Sequence, residues 1–213
     1  MRPPDDLRAA PVTVGIAIVT AAAWLVAWGL GWQEAFARGG GFTAAHVQAS
    51  AGAGYPVPVA LTPLTATLVH SGFAHLAFNL LMLLFCGRSV ERVLGGRGIV
   101  ILYLVGAYAA AAAEYPLHPD TPVPMIGASG AISAVLGAYA MLFGRNKVKV
   151  AHPGLAAFLH ALWLAAAWIG LQLLIGLTFQ TSGLRIAIAA HIGGFIAGLL
   201  LARPLLLLRW RGA

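Results

Sequence analysis

The sequence predicts an all-α, polytopic membrane protein, one six-helix domain over residues 1–213. Three observations point there. Hydrophobic residues make up 60% of the chain and charged ones only 9%, with a mean hydropathy of +0.86. A soluble domain has about 25% charged residues, so this chain has too few to cover a water-facing surface. The apolar residues gather in six runs of roughly the ~20 residues that a spanning helix needs. Lysine and arginine fall between those runs with a strong bias to one side, the charge pattern of membrane topology.

The first run is 12–32. Arg2 and Arg8 precede it and Ala35-Phe36-Ala37 follows, an arrangement shared with signal peptides. The run is longer than the ~7–15 residues of a signal core, so it reads as a retained anchor. A long connection, 33–63, carries Gly39-Gly40-Gly41, Pro56 and Pro58 and is too polar and broken to span. Phe42, Val47, Tyr55 and Val59 are expected along the membrane interface there. The second run is 65–86 and the third 98–116. A proline-rich turn, 116–124, leads into the fourth, 127–143. The fifth covers 155–177 and the sixth 185–203, with the apolar pattern reaching on towards Leu208. The 26 glycines suit closely packed membrane helices. The single cysteine, Cys86, rules out an internal disulfide.

Eleven basic residues fall on one side of a six-helix arrangement: Arg2, Arg8, Arg88, Arg92, Arg97, Arg145, Lys147, Lys149, Arg203, Arg209 and Arg211. Only Arg38 and Arg185 fall on the other. That split puts both termini in the cytoplasm. An odd number of helices would carry the C-terminal arginines across. The net charge of +7 forms no single patch or stripe, so no nucleic-acid partner is expected. The expected location is a lipid bilayer, the inner membrane of a bacterial cell.

With this topology the second, fourth and sixth helices all run inwards from the outer face. His75, Ser129 and His191 then lie at a common depth, roughly 5–15 Å below the outer surface at ~1.5 Å per residue. Ionisable side chains at such depth are costly and face a bundle interior or a water-filled cavity. A serine becomes nucleophilic when a neighbouring base takes its proton, and histidine suits that task. Either His191 or His75 fits. No carboxylate shares the depth: Glu114 and Asp120 lie at an outer loop and Glu91 on the cytoplasmic side. A dyad is therefore available and a triad is not. Ser129 opens a helix, where free N–H groups favour negative charge. Asn79 follows His75 by four residues on one helix face. His75 and Asn79 thus form a donor pair suited to an oxyanion. Gly127 and Gly130 leave clearance on both sides of the serine.

Three segments carry a family resemblance. His70-Ser-Gly-Phe-Ala-His75-Leu-Ala-Phe-Asn79, Gly127-Ala-Ser129-Gly130 and Ala190-His191-Ile-Gly-Gly194-Phe-Ile-Ala-Gly198 resemble the signature segments of the rhomboid intramembrane serine proteases, and Glu91-Arg92-Val-Leu-Gly95 resembles a family turn. The resemblance implies that Ser129 is the nucleophile and His191 its general base. His75, Asn79 and the Ser129 amide would hold the oxyanion. It also implies that Gly194 and Gly198 pack the sixth helix tightly on the fourth. The substrates it implies are transmembrane segments of other proteins, cut near the outer face, with no metal or organic cofactor. Such clients should carry helix-weakening residues near the cut and a small residue beside it. Two positions depart from the pattern. Leu61-Thr62 stands where many members have Trp-Arg, and Ser133 where some have an aromatic under the catalytic histidine. The orientation of His191 must then come from another neighbour.

Other polar residues have plainer readings. His70 fits a structural hydrogen bond at the cavity mouth, His160 sits at the wrong depth, and His46, His118 and His152 are loop residues. Phe78, Trp163 and Trp168 fit either a lateral opening between the second and fifth helices or ordinary packing. A metalloprotease would need H-E-x-x-H or a comparable ligand set, and His70 and His75 are five apart with no carboxylate. A transporter or channel fits six helices, though internal repeats and interrupted helices are not evident. A non-catalytic relative that binds membrane clients would be expected to lack the serine or the histidine.

Overall fold

The structure, a computed structural model, describes residues 10–48, 56–144, 150, 152–180 and 187–210, with backbone alone over 175–180. Among these residues every named element is helical, and one isolated β-bridge joins Phe42 to Met125. Arg2, Arg8, Tyr55, Arg145, Lys147, Lys149, Arg185 and Arg211 lie outside the described residues.

Helix α1 spans Pro11–Gly29. Proline is tolerated at a helix start because its missing N–H would have no intrahelical partner there. No neighbouring side chain caps α1. Its free N–H groups go instead to the buried carboxylate of Glu91, which accepts from Val12 N (3.0 Å), Thr13 N (2.7 Å) and Thr13 Oγ1 (2.6 Å). A negative charge at a helix N-terminus is favoured by the macrodipole. Thr13, Ala17, Thr20, Trp24 and Ala27 form the buried stripe, at the three- and four-residue spacing of one helix face. Ile18, Val19, Leu25 and Val26 face outwards.

The connection expected to be broken holds α2, Gln33–Gly40, a short polar helix with an exposed Glu34–Arg38 pair at 2.7 Å. Phe42 is buried within the protein. Its backbone exchanges hydrogen bonds with Met125 (3.0 and 2.8 Å), and its ring packs with Ala44, Ala66 and Ala111. Val47 is exposed and Val59 half-buried.

The second helix begins later than 65. A one-turn helix α3, Thr62–Thr65, and a 3-10 turn, Ala66–Leu68, come first. The chain then extends, and α4 starts at Phe73 and runs to Met82. Tertiary hydrogen bonds account for the interruption: Ala66 O accepts from Gly127 N (2.9 Å) and His70 Nε2 from Ala128 N (3.5 Å). A π-helical turn, Leu83–Gly87, joins α4 to α5, Arg88–Glu114.

The gap expected at 87–97 shrinks to one residue, Gly95, whose φ of 76° and ψ of 169° break α5. Glycine reaches positive φ without steric cost. Arg209 closes that helix end, donating from Nη1 to Glu91 O (3.3 Å) and Arg92 O (2.9 Å). Gly87 and Gly96 serve closeness instead: an added Cβ would lie 2.8 Å from Thr13 or Val12 of α1.

Helix α6, Ser129–Phe143, is short and almost wholly enclosed. Its neighbours in the core are α5 and α8 (Ile188–Trp210), through Val90, Leu94, Ile99, Leu102, Val135, Ala138, Ala202 and Leu205. A Cβ at Gly194 would collide with Gly130 O, and one at Gly198 with Ala134 O, so α6 and α8 touch backbone to backbone. α8 continues through Pro204 beyond the expected end at 203, with Leu205 buried and Arg209 anchored. Helix α7, Pro153–Gln180, lies mostly outside this core.

Among the described residues, four helical runs are long and apolar enough to cross a membrane: Pro11–Gly29, Phe73–Leu117, Pro153–Leu174 and Ile188–Trp210. Gly95 divides the 45-residue second run into two arms. This is an integral membrane protein.

Candidate active site

Ser129 is the first residue of α6, and the loop before it is pinned twice. Met125 pairs with Phe42, and Gly127 N donates to Ala66 O at 2.9 Å. Gly127 itself has φ 108°, a conformation that side-chain-bearing residues rarely adopt. A Cβ there would stand 2.7 Å from Nε2 and Cε1 of His75 and 3.8 Å from Ser129 Oγ. The imidazole of α4 and the hydroxyl of α6 therefore both border the space that a side chain at Gly127 would fill.

His191 comes from the first turn of α8. Its Nε2 lies 2.8 Å from Ser129 Oγ, although 62 residues separate them. Both residues are half-buried, so the pair is sheltered and still reachable. On the other side of the ring, Nδ1 lies 3.4 Å from Gln172 Oε1 of α7. Trp168 Nε1 donates to His191 O at 3.3 Å, and the Trp168 indole stacks on Phe195 with centroids 4.8 Å apart.

His75 stands at the start of α4. Its Nδ1 lies 3.2 Å from Ser71 Oγ, and its ring meets His70 edge-on with centroids 4.9 Å apart. Asn79 is buried one turn further along, and its Nδ2 donates to His75 O at 2.9 Å. His70 is buried behind the serine loop, where its Nε2 accepts from Ala128 N. With that amide engaged, the Ser129 N–H is the next of the free donors at the start of α6.

The structure thus brings Ser129, His191 and His75 to one place, with Asn79 under His75. It keeps other polar residues away. His160 packs against Gly144 at the opposite end of α6. His118 pairs with Glu114 at 3.0 Å, and His152 accepts from Leu155 N at 3.3 Å. Phe78 and Trp163 point outwards, at 65% and 68% exposure, whereas Trp168 turns in against His191. Among the described residues, no three His, Cys, Asp or Glu side chains converge as a metal site.

Gln172 and Ser71 were not anticipated from the sequence. The available signal for Gln172 was an amide in the middle of an otherwise apolar run, four residues after a tryptophan. Such spacing puts both on one helix face.

Comparison with known proteins agrees with the family resemblance. A family model described as the Rhomboid domain matches residues 60–208. The rhomboid protease GluP of Bacillus subtilis is 34% identical over 142 residues, covering 67% of this chain and 25% of that protein. Rhomboid-related protein 2 of Mus musculus is 31% identical over 133 residues, 62% of this chain and 43% of the relative. The rhomboid protease GlpG of an Enterobacter species is 30% identical over 141 residues, 65% and 46% respectively. The chain thus spans from a quarter to under half of the length of these relatives.

Proposed function

The chain belongs to the rhomboid family, and from that premise we propose that it is an intramembrane serine endopeptidase working by a Ser129–His191 dyad. The observation that carries this reading is the 2.8 Å separation of Ser129 Oγ and His191 Nε2. That is hydrogen-bond distance for a base taking a hydroxyl proton.

In this mechanism Ser129 Oγ attacks the scissile carbonyl carbon while His191 Nε2 accepts its proton. The carbonyl oxygen becomes an oxyanion, held by the Ser129 N–H, His75 and Asn79. The C–N bond then breaks, and the imidazolium returns the proton to the leaving amine. Water adds to the acyl-enzyme by the same route, releasing the new carboxylate and restoring Ser129. No step calls for a metal or an organic cofactor.

The substrates are transmembrane segments of other proteins, cut near the outer face of the bilayer. Helix length supports that depth. At ~1.5 Å per residue, the 15 residues of α6 cover about 22 Å, less than the ~30 Å hydrocarbon core. Its first residue then lies within the thickness of the membrane, beneath the loop at 117–128. Six passes are the reading that the break at Gly95 supports: α1, the two arms either side of it, α6, α7 and α8. The termini are placed in the cytoplasm, and the single-domain organisation of 1–213 goes with the same arrangement.

The decisive variant is Ser129→Ala. It is expected to abolish cleavage of a membrane-anchored reporter, and a fluorophosphonate should label the wild type alone. Cleavage that persists in Ser129→Ala, or stops on chelation, would overturn the reading.

A further inference from the structure

His191 stands between two partners on different helices. Ser129 lies at its Nε2, and Gln172 Oε1 of α7 lies 3.4 Å from its Nδ1. We propose that Gln172 is a positioning residue for His191, so that α7 supplies the orientation of the base. This deepens the dyad reading and rests on it.

A neutral imidazole carries one N–H. For Nε2 to accept the Ser129 proton it must hold a lone pair, which puts the N–H on Nδ1. That N–H needs an acceptor, and the carboxamide oxygen of Gln172 meets the need. The reverse tautomer would have Nε2 donating to Ser129 Oγ, the wrong direction for a base. The hydrogen bond at one ring nitrogen sets the state of the other. After proton transfer the same oxygen faces the imidazolium N–H with the negative end of its dipole.

The placement of Gln172 is independent of this chemistry. It is 3% exposed, although the helix that carries it faces mostly away from the protein. An amide in an apolar setting is costly unless hydrogen-bonded. Trp168, one turn earlier, binds the same target by donating to His191 O and stacking on Phe195. Two residues on one face of α7 therefore hold the ring and the backbone of His191. Ser133, buried on α6, has no ring with which to pack under the histidine.

The test uses the full chain in detergent and in liposomes, with two readouts. Fluorophosphonate labelling needs an aligned dyad but no transmembrane substrate. Reporter cleavage gives kcat and KM. Gln172→Met removes the oxygen and keeps the length and an apolar character suited to a membrane helix. It is expected to lower the labelling rate and kcat by roughly tenfold, the scale of one lost hydrogen bond to a charged group, with KM unchanged. Gln172→Glu keeps an accepting oxygen and should recover most of both. Trp168→Phe keeps the stack and removes only the donor to His191 O. It should slow labelling by a smaller factor, and it probes the same tether if Gln172→Met does not fold.

Wild-type labelling by Gln172→Met, a change in KM alone, or a Glu variant as slow as the Met variant would overturn the proposal. So would unchanged labelling of Trp168→Phe. Ser129→Ala run alongside separates the two levels. If it is labelled or active, the dyad reading fails. If it is inert while Gln172→Met labels like wild type, only the role of Gln172 fails.

Discussion

Gly127 is where a single hydrogen atom in place of a side chain decides the geometry. Its φ of 108° disfavours any other residue, and the space a Cβ would fill is bounded by His75 and Ser129. Gly127→Ala must therefore strain the backbone, at about 1–2 kcal/mol for a left-handed residue, and push the His75 imidazole aside. In the proposed mechanism His75 is an oxyanion donor, and displacing one such donor costs on the order of 100-fold in kcat. A loss of that size, with a fall of only a few degrees in the melting temperature, is the expected outcome. A variant cleaving within a few-fold of wild type would show that His75 does not depend on this clearance. The proximity of Ser129, His191 and His75 was legible in the sequence because depth is a matter of counting residues from the membrane face. Gln172 was not, because its role depends on the rotation of α7 about its own axis. An almost uniformly apolar helix gives no hydrophobic face from which to read that rotation.

Between elements, Glu91 is the principal fastening. One carboxylate from α5 satisfies two backbone donors and a hydroxyl at the start of α1, and its own carbonyl is bound by Arg209 of α8. Three segments distant in sequence meet there. Glu91→Ala would strand Thr13 N and Oγ1 in a buried setting, at roughly 1–3 kcal/mol for each unsatisfied group. Glu91→Gln keeps an acceptor and loses the charge that favours the helix end, for about 1 kcal/mol. Thermal unfolding in detergent should rank the stabilities wild type, Gln, Ala. Equal melting of all three would mean that the fastening contributes nothing. Sequence reading located the apolar helices well and their breaks less well. Thr65 to Leu68 holds no glycine or proline to mark a break, and the interruption before Phe73 comes from bonds to Gly127 and Ala128, far along the chain. Likewise the glycines at 87, 95 and 96 look alike in sequence. Only Gly95 turns the chain, while the other two let α1 approach.

At the scale of the whole molecule, the bundle is graded from a fixed centre to a lightly held side. α6 is enclosed on nearly every face and in backbone contact with α8, so Ser129 rides on the most constrained helix. His191 sits on α8, the constrained partner of α6. Its support comes from α7, of whose most apolar stretch only 6% is buried. That division suits the proposed cleavage of a membrane-embedded chain, since the serine can stay fixed while a neighbouring helix gives way. Local opening free energies follow buried contact, which makes the gradient measurable by hydrogen exchange in detergent micelles. Backbone amides of α6 should exchange only as fast as the whole protein unfolds. Those of α7 between 153 and 174 should exchange earlier. Gln172→Met should loosen α7 further and leave α6 unchanged, because the bond it loses joins α7 to His191 and nothing within α6. Equal protection of α6 and α7 in the wild type would refute the gradient. A base whose alignment depends on the seating of α7 would then need no motion of that helix to become active.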